Sequence, residues 1–439
     1  MNKFEEIVQT KLVPVAGRFG NNKFLIAIRD GITYSMPLIL IGSFLMVIAS
    51  FPVPGWESWL GEVGISAYLW KGVDSSFNLI ALIAAFAIPY SLVKQYKEDG
   101  ISAGIINISA FLMVTPFTIP FLDESGKTLG TVGGIAPSYL SSGGLFVAIV
   151  LGLLNGYVYQ WFMKKDIRIK MPEGVPPAVS KSFSAIIPGA VILIFWLIIY
   201  GLLDSLKLPN VHDIVKTVLG VPFSMLGSTL VGNFIVVLLN GLLWFCGIHG
   251  GNVLNNPIMK PIWLANLTEN TAAHKAGQEL PHVFTSVFMD NFVFIGGSGA
   301  TIGLVIALAW LARRRKASQQ AKVLSPLTLL PGLFNINEPT MFGLPVVLNV
   351  LTVIPFVFSP AVNLIIAYFA FSSGIVPGTY ADPGWTMPPV VSGFLATGSW
   401  QASVLQVFLI IIDILLYLPF IFNVERRWQI SEQSKIIFN

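Results

Sequence analysis

The chain has 439 residues, of which 54% are hydrophobic and only 11% are charged, and its formal net charge is +4. Soluble proteins carry about 25% charged residues, so this composition excludes a globular protein with water on all sides. The 26 basic residues lie in short clusters beside apolar stretches, a pattern that reports membrane orientation, and we expect no nucleic-acid partner. One cysteine, Cys246, excludes an internal disulfide, and the polar, basic N-terminal residues predict no cleavable signal peptide.

Apolar stretches long enough to cross a bilayer occur from one end of the chain to the other. Nine of them are predicted to be transmembrane helices. They are Ile26 to Phe51, Val73 to Val93, Ile101 to Phe121, Tyr139 to Met163, Phe183 to Leu206, Pro222 to Cys246, Ser286 to Leu311, Val346 to Phe371 and Gln401 to Asn423. This pattern predicts an all-α, multi-pass membrane protein.

Clusters of lysine and arginine predict which helix ends face the cytoplasm. The alternation places both chain termini and the basic loop Lys164 to Lys181 inside, and the loop around Glu57 outside. Under this rule Pro222 to Cys246 and Ser286 to Leu311 both end inside, so a further crossing must lie between them. The broken segment Gly247 to Leu267 is predicted to supply it, which makes about ten passes.

Three apolar segments contain enough Pro, Gly and Asn to interrupt a helix at membrane depth: Gly247 to Leu267, Leu330 to Leu344 and Val376 to Thr397. Irregular backbone is tolerated there only where protein buries it or where it lines a wet cavity, so broken segments point to a transporter's binding site. We therefore expect three parts. They are residues 1–181, with four helices and a cytoplasmic linker, 182–221, with the fifth helix and an amphipathic connection, and 222–439, a transport domain. The N-terminal half is predicted to be a scaffold or an oligomer interface.

Residues 247–252 (GIHGGN) form the first polar constellation, in the first broken segment. Their glycines let a ligand approach the backbone closely, and His249 and Asn252 offer hydrogen-bond donors and acceptors. A lone histidine is more often satisfied by a neighbouring carbonyl group. The flanking glycines and asparagines favour a binding site instead.

Residues 335–339 (NINEP) form the second constellation, in the second broken segment. A carboxylate in an apolar region costs roughly 2.5–3.5 kcal/mol on insertion scales, so Glu338 is the leading site residue. Its neighbours Asn335 and Asn337 suit a polyhydroxylated ligand, and Pro339 frees backbone carbonyl groups. The alternative interpretation is a cytoplasmic turn with a solvated glutamate, which the apolar residues on both sides disfavour.

Other features carry weaker signals. Trp385, near the third broken segment, could stack on a sugar ring, although interfacial anchoring explains most tryptophans in membrane proteins. Residues 296–299 (GGSG) lack the ending of a phosphate loop and predict close packing within an apolar helix. No metal-ligand spacing, nucleotide motif or catalytic serine motif stands out, and we expect no metal and no cofactor.

Four segments are similar to a known family: residues 4–32 (FEEIVQTKLVPVAGRFGNNKFLIAIRDGI), 169–183 (IKMPEGVPPAVSKSF), 247–252 and 334–339 (FNINEP). In these segments the chain resembles the membrane-embedded IIC component of the bacterial phosphoenolpyruvate-dependent phosphotransferase system, in its lactose, cellobiose and diacetylchitobiose branch. The resemblance implies ten transmembrane helices with re-entrant hairpins, a homodimer formed by the N-terminal helices, and a sugar pocket in the C-terminal half. It also implies a multi-pass protein of the bacterial cytoplasmic membrane.

The resemblance further implies a reaction. A partner IIB protein, loaded by a IIA protein upstream, carries a phosphocysteine whose phosphoryl group passes to the 6-hydroxyl of the bound disaccharide. Carried over by motif, His249 and Glu338 would orient and activate that hydroxyl. The other sugar contacts expected are Asn335, Asn337, Asn252, Asn233 and Trp385. Cys246 ends an apolar helix, so it is not predicted to be the phosphocysteine, and IIB and IIA are expected on separate chains.

Two other functions stay open at the level of sequence. An ion-coupled secondary sugar transporter would also need a membrane carboxylate such as Glu338. An intramembrane enzyme or glycosyltransferase could use His249 and Glu338 on a lipid-linked substrate.

Overall fold

The computed structural model describes residues 14, 18, 21–51, 53, 55–122, 128–344 and 350–437. Two compact units divide the chain. The N-terminal unit comprises Asn21–Gly42 and Lys71–Met225, and the C-terminal unit comprises Ser43–Trp70 and Leu226–Asn439. Ser43–Trp70 therefore groups with the second half of the chain, whereas the three parts expected from the sequence stay a prediction.

The described residues are mostly helical, as the hydropathy pattern predicted. The helices before residue 230 are α1 (Lys23–Thr33), α2 (Met36–Ala49), α3 (Trp56–Glu62), α4 (Ser66–Asp74), α5 (Ile80–Lys94), α6 (Gly100–Met113), α7 (Pro137–Leu140), α8 (Leu145–Lys164), α9 (Pro177–Ser184), α10 (Ile186–Ser205), α11 (Val211–Val215) and α12 (Val221–Gly227). The later helices are α13 (Leu230–Phe245), α14 (Lys260–Lys275), α15 (Ser286–Phe288), α16 (Ile302–Ala312), α17 (Gln319–Leu333), α18 (Glu338–Gly343), α19 (Val350–Ser372), α20 (Val391–Thr397) and α21 (Trp400–Ile437).

Among the described residues, short segments of other helix types interrupt this order. Two are 3₁₀ turns, at Phe77–Leu79 and Ser142–Gly144. Three are π-helical, at Lys216–Gly220, Gly251–Met259 and Met289–Val293. Segments of π-helix are rare and frequently mark functional sites, and two of the three lie in the C-terminal unit.

Five helical segments in the described residues are long and apolar enough to cross a membrane: Lys23–Ala49, Ser142–Lys164, Pro177–Ser205, Thr352–Ser372 and Trp400–Gln433. Four shorter apolar helices accompany them: Ile80–Lys94, Gly100–Met113, Leu230–Phe245 and Ile302–Ala312. Each of these nine overlaps one of the nine stretches predicted from the sequence.

The stretch Ile101 to Phe121 is not one helix, and the sequence prediction was wrong there. Helix α6 ends at Met113, because the residue before Pro116 is disfavoured in helical conformation. Strand β1 (Thr118–Leu122) follows and pairs antiparallel with β2 (Thr128–Gly133). Residues 123–127, between the two strands, lie outside the described residues.

The stretch Ser286 to Leu311 is also broken, contrary to the prediction of a continuous helix. Residues 294–301 leave the helical path, and Gly296, Gly297 and Gly299 take positive φ angles of 83°, 95° and 86°. Residues with a Cβ adopt this backbone region rarely, so the glycines permit the break.

Helix α5 is the centre of the N-terminal unit, and α1, α6 and α8 pack on it. Glycines allow these helices to approach closely: a Cβ added at Gly31 would lie 2.4 Å from Ile88 Cγ1, and one at Gly152 would lie 2.9 Å from Ile88 Cβ. Small residues have this role in membrane helix packing because apolar surface alone does not drive association in lipid.

The C-terminal unit is built on four helices, α13, α16, α19 and α21, with interrupted segments between them. Helix α13 packs on α19, α19 packs on α21, and α21 packs on α16. One of its core clusters contains Trp244, Phe356 and Tyr417. The Tyr417 hydroxyl donates to the Gly299 carbonyl oxygen at 2.7 Å, which ties α21 to the break at residues 294–301.

Candidate functional site

Asn335 joins three irregular stretches of the C-terminal unit. Its side-chain oxygen accepts from the Gly296 N–H at 2.6 Å, and its side-chain nitrogen donates to the carbonyl oxygens of Trp385 at 2.6 Å and Met387 at 3.3 Å. The side chain is only 6% exposed, and the backbone takes φ 60° in the left-handed region that asparagine tolerates. This residue therefore satisfies backbone groups that the broken segments leave unpaired.

Asn337 makes a second contact of the same kind. Its amide nitrogen donates to the Ser298 carbonyl oxygen at 2.8 Å. A Cβ at Gly297 would lie 2.8 Å from Asn337 Cγ, so the glycine-rich stretch permits this close approach. The glycines thus pack against an asparagine loop, and the expected packing inside a helix was wrong.

Glu338 is the first residue of α18, directly after this loop. Its side chain is outside the part of the chain that the structure describes. The next turn is fixed by the Met341 N–H, which donates to the Asn337 carbonyl oxygen at 2.9 Å. The backbone of Glu338 is therefore held beside the cluster of Asn335 and Asn337.

His249 lies in a short irregular stretch between α13 and the π-helical segment Gly251–Met259. Its Nδ1 accepts from the Asn252 N–H at 3.1 Å, and its ring packs on Trp244 with a centroid distance of 4.2 Å. In a neutral imidazole this bond places the proton on Nε2, which is then a donor. Gly250 permits a close approach to α13, since a Cβ there would lie 2.1 Å from Asn240 Oδ1.

The remaining asparagines expected at the site have different surroundings. The Asn252 side-chain oxygen accepts from Asn256 at 3.4 Å, next to His249. Asn233 is completely buried, and its amide nitrogen donates to the carbonyl oxygens of Gly227 and Thr229 at 2.8 and 2.9 Å. Its oxygen accepts from the Trp263 indole N–H at 3.0 Å. Asn233 thus anchors the start of α13.

The described contacts sort the predicted residues into three groups. Asn335, Asn337 and the backbone of Trp385 form one cluster, with the Trp385 side chain 36% exposed. His249 and Asn252 form a second group, and Asn233 forms a third with Trp263. The direct contact of each of these side chains with sugar stays a prediction.

A charged cluster in the same broken segments was missed by the sequence reasoning. Lys260 Nζ and Asp290 Oδ2 lie 2.5 Å apart, and their side chains are 22% and 27% exposed. Asp382 is close enough to Lys260 to interact with it electrostatically. The Asp382 carboxylate also accepts from the N–H of Gly384, the residue before Trp385, at 2.8 Å. Charged residues in apolar segments predicted at membrane depth are functional candidates by default, and that rule alone would have found these three.

A further ionisable residue is buried in helix α21. Asp413 is completely buried, and Asn363 of α19 donates to its Oδ2 at 3.0 Å. Its Oδ1 has no hydrogen-bond partner among the described residues. The thiol of Cys246 is also buried, directly after α13.

Comparisons with known proteins agree with the resemblance seen in the sequence. A model of the family described as "Phosphotransferase system, EIIC" matches residues 29–360. The "Lichenan permease IIC component" of Bacillus subtilis (strain 168) is 40% identical, over 99% of this chain and 96% of its own. The "PTS system cellobiose-specific EIIC component" of Geobacillus stearothermophilus is 39% identical, over 99% and 97%.

A solved structure is similar over nearly its whole length. It is the crystal structure of the transporter ChbC, the IIC component from the N,N'-diacetylchitobiose-specific phosphotransferase system. The TM-score is 0.91 and the sequence identity 36%, with 98% of this chain and 99% of that chain covered. The chain therefore belongs to the EIIC family of the phosphotransferase system and is a multi-pass protein of the bacterial plasma membrane.

Proposed function

We propose that this chain is the IIC permease for a disaccharide of the cellobiose or diacetylchitobiose type, which it imports with phosphorylation of the sugar 6-hydroxyl. The observation that supports the proposal most is the similarity over almost the full length to ChbC and to a cellobiose-specific EIIC component. The broken segments of the C-terminal unit are the part of the chain suited to hold such a polar ligand.

Glu338 and His249 are the proposed activating pair. The phosphoryl group leaves a cysteine sulfur of the IIB partner as the sulfur–phosphorus bond breaks, and a bond forms between phosphorus and the sugar oxygen. The proton of that hydroxyl goes to the carboxylate of Glu338, while His249 donates from Nε2 to orient the sugar. A carboxylate and an imidazole are suited to these two tasks.

The surrounding residues divide between direct and indirect roles. Lys260, Asp290 and the ring of Trp385 are partly exposed, so they can bind hydroxyl groups or the apolar face of a sugar. Asn335 and Asn337 act mainly by holding the loops, because their described hydrogen bonds go to backbone groups.

The proposed docking region for IIB is the loop Lys164 to Lys181, which the basic residues place in the cytoplasm. Arg168 lies 2.8 Å from Asp166, and Lys170 also pairs with Asp166. These neighbours hold the pKa of the Asp166 carboxyl below its usual range. Basic residues at this face suit a partner that carries a phosphoryl group.

The proposed oligomer is a homodimer formed by N-terminal helices. Helix α10 exposes a row of apolar side chains that includes Ile194, Leu197 and Ile198. Crosslinking of a Leu197→Cys variant in membranes should trap dimers. A fully active protein that is strictly monomeric in detergent would contradict this assembly.

An ion-coupled sugar transporter is the second candidate, and a specific observation favours it. Asp413 is buried inside the C-terminal unit with one carboxylate oxygen lacking a described partner. Ionisable groups in that position form ion and proton pathways in transporters.

Sugar uptake into proteoliposomes distinguishes the two candidates. Vesicles containing the chain would be loaded with phosphorylated IIB protein, or with a IIB variant that lacks its cysteine, and supplied with radiolabelled cellobiose. We expect sugar phosphate to accumulate only with the phosphorylated partner. Accumulation of unmodified sugar that follows a sodium or proton gradient without IIB would overturn the proposal in favour of the ion-coupled transporter.

A further inference from the structure

The C-terminal unit contains a cavity of about 900 Å³ whose lining includes none of the predicted sugar-site residues. Four stretches of the chain form its wall, within residues 50–58, 274–283, 371–380 and 397–398. We call this cavity the outer vestibule. Its volume falls within the range of about 300–1,000 Å³ that is typical of small-molecule sites.

Buried hydrogen bonds hold the wall of the outer vestibule in place. Asn270 is completely buried, and its amide nitrogen donates to the carbonyl oxygens of His282 at 2.7 Å and Thr379 at 2.9 Å. Its oxygen accepts from the His282 N–H at 3.0 Å. The Thr271 hydroxyl donates to the Tyr380 carbonyl oxygen at 2.6 Å. A ligand therefore meets a preformed wall, which lowers the entropic cost of binding.

The lining combines flat aromatic rings with hydrogen-bonding groups. His274 stacks on Tyr380 with a centroid distance of 3.5 Å and an interplanar angle of 10°. Trp56 also lines the cavity, and its indole N–H donates to the Ile48 carbonyl oxygen at 2.7 Å. Aromatic faces beside a few placed polar groups are typical of sites for small organic ligands.

His274, His282 and Glu57 line the cavity, and Glu269, which pairs with His282, lies beside it. His274 Nε2 lies 3.8 Å from Glu57, and His282 Nε2 lies 2.5 Å from Glu269. The side chains of both glutamates are more than 60% exposed, so their oxygens have room to accept further hydrogen bonds. Imidazole groups beside the Glu57 and Glu279 carboxylates suit a ligand with many hydroxyl groups and disfavour an anion.

The orientation predicted from the basic residues places all four lining stretches on the external side of the membrane. That is the side from which a sugar arrives, and it is opposite the cytoplasmic IIB protein. We propose that the outer vestibule binds a β-linked disaccharide as its first site on the chain, before the sugar reaches the pocket of His249 and Glu338. The inference rests on the proposed function as a sugar permease.

Protection of an engineered thiol tests the outer vestibule in whole cells. Ser58 is exposed and lines the cavity, so a Ser58→Cys variant should react with a membrane-impermeant maleimide added outside. The parent chain, whose only cysteine is the buried Cys246, gives the background. Saturating cellobiose, added without any IIB protein, should slow the labelling. Failure of the Ser58→Cys thiol to react from outside would overturn the external placement.

Three variants in the Ser58→Cys chain separate this site from the inner pocket. We expect protection by cellobiose to be lost in Tyr380→Ala and to persist in His249→Ala. Tyr68→Ala, which removes a tyrosine that is 79% exposed and does not line the cavity, is the matched control and should keep protection. Protection that persists in Tyr380→Ala, or that disappears in His249→Ala, would contradict the proposal.

The result is also distinguishable from a failure of the proposed function. Thiol protection requires no phosphoryl donor, whereas sugar phosphate requires phosphorylated IIB. Protection without IIB-dependent phosphorylation would refute the phosphotransfer reaction alone. Phosphorylation without protection would refute the outer vestibule alone.

Discussion

The two units bury backbone in apolar surroundings by different means. In the N-terminal unit, α6 and α8 are regular helices, and the Ala85 carbonyl oxygen that Pro89 leaves without a helical partner in α5 accepts from the buried Asn107 amide at 2.5 Å. In the C-terminal unit the backbone leaves the helical path repeatedly, and buried amide side chains take over as partners. The side chains of Asn335, Asn270 and Gln406 each form hydrogen bonds with backbone groups from two different stretches of the chain.

This difference explains why polar side chains cluster at breaks in the helices. An unpaired peptide group is costly in an apolar medium, so each break in a helix recruits a polar side chain. The breaks at residues 294–301, 334–337 and 382–388 therefore bring amides and charges together. Regular helices create no such demand, and the N-terminal unit has fewer places where a sugar could bind.

The largest expected effect comes from removing Asn335. An Asn335→Leu variant leaves the Gly296 N–H and the Trp385 and Met387 carbonyl groups without their partner, at about 1–3 kcal/mol for each unsatisfied group. It also places a leucine at φ 60°, which adds strain. We expect a lower melting temperature in detergent and loss of cellobiose binding by isothermal titration.

Asn423 is a matched control for this substitution. It is exposed on α21, and among the described residues its amide donates to the Pro419 carbonyl oxygen of its own helix alone, at 3.0 Å. An Asn423→Leu variant should retain both the melting temperature and sugar affinity. If Asn335→Leu retains stability and affinity as Asn423→Leu does, the hydrogen bonds of Asn335 do not hold the broken segments together.

An intermediate effect is expected from a buried amide in the N-terminal unit. Asn155 donates to Asn107 Oδ1 at 2.7 Å and accepts from the Trp196 indole N–H at 2.9 Å. Asn155→Leu leaves those two groups unpaired, at about 1–3 kcal/mol each, but keeps the helices intact. The melting temperature should fall while cellobiose affinity stays unchanged. A loss of affinity as large as that of Asn335→Leu would break the contrast between the units.

The smallest expected effect concerns pH and His212, which lies on α11 outside the membrane-spanning helices. The Thr115 hydroxyl donates its proton to the Phe111 carbonyl oxygen at 2.7 Å. The same hydroxyl lies 2.9 Å from His212 Nε2 and must accept there, so Nε2 carries the imidazole proton and Nδ1 the lone pair. Nδ1 is buried with no partner among the described residues. Burial lowers the pKa of His212 to about 4 from an ordinary 6.5.

The sign of the pH effect follows from these two pKa values. As the pH falls below about 6.5, the unfolded chain binds a proton on His212 that the folded chain does not bind until about pH 4. Wild-type protein should therefore lose thermal stability between pH 7 and pH 5, and His212→Gln should lose less. Equal losses in the two proteins would show that the imidazole does not contribute.

Much of the fold was predictable because its signals are local. Hydropathy located the nine apolar helices, and Pro, Gly and Asn marked the breaks around His249 and Asn335. The hairpin after Met113 was missed, because an apolar run of residues looks the same in a strand and in the end of a helix.

The contacts inside the candidate site were not predictable in the same way. Asn335 is 39 residues from Gly296 and 50 residues from Trp385, and no periodicity in a single sequence reports such pairs. The sequence suggested Asn335 as a sugar ligand, whereas its described bonds hold loops together. Lys260, Asp290 and Asp382 could have been identified from their charge alone.

The central claim is that Glu338 and His249 activate the sugar hydroxyl, and one paired measurement tests it most directly. Binding of radiolabelled cellobiose and its phosphorylation by phosphorylated IIB would be measured on the same purified Glu338→Gln and His249→Ala proteins. Glutamine keeps the size and some hydrogen bonding of glutamate but removes its basicity, so phosphorylation should be abolished while binding is only weakened. His249→Ala should weaken both, with a binding loss of roughly 1–3 kcal/mol. A Glu338→Gln protein that phosphorylates cellobiose at nearly the wild-type rate would contradict the claim.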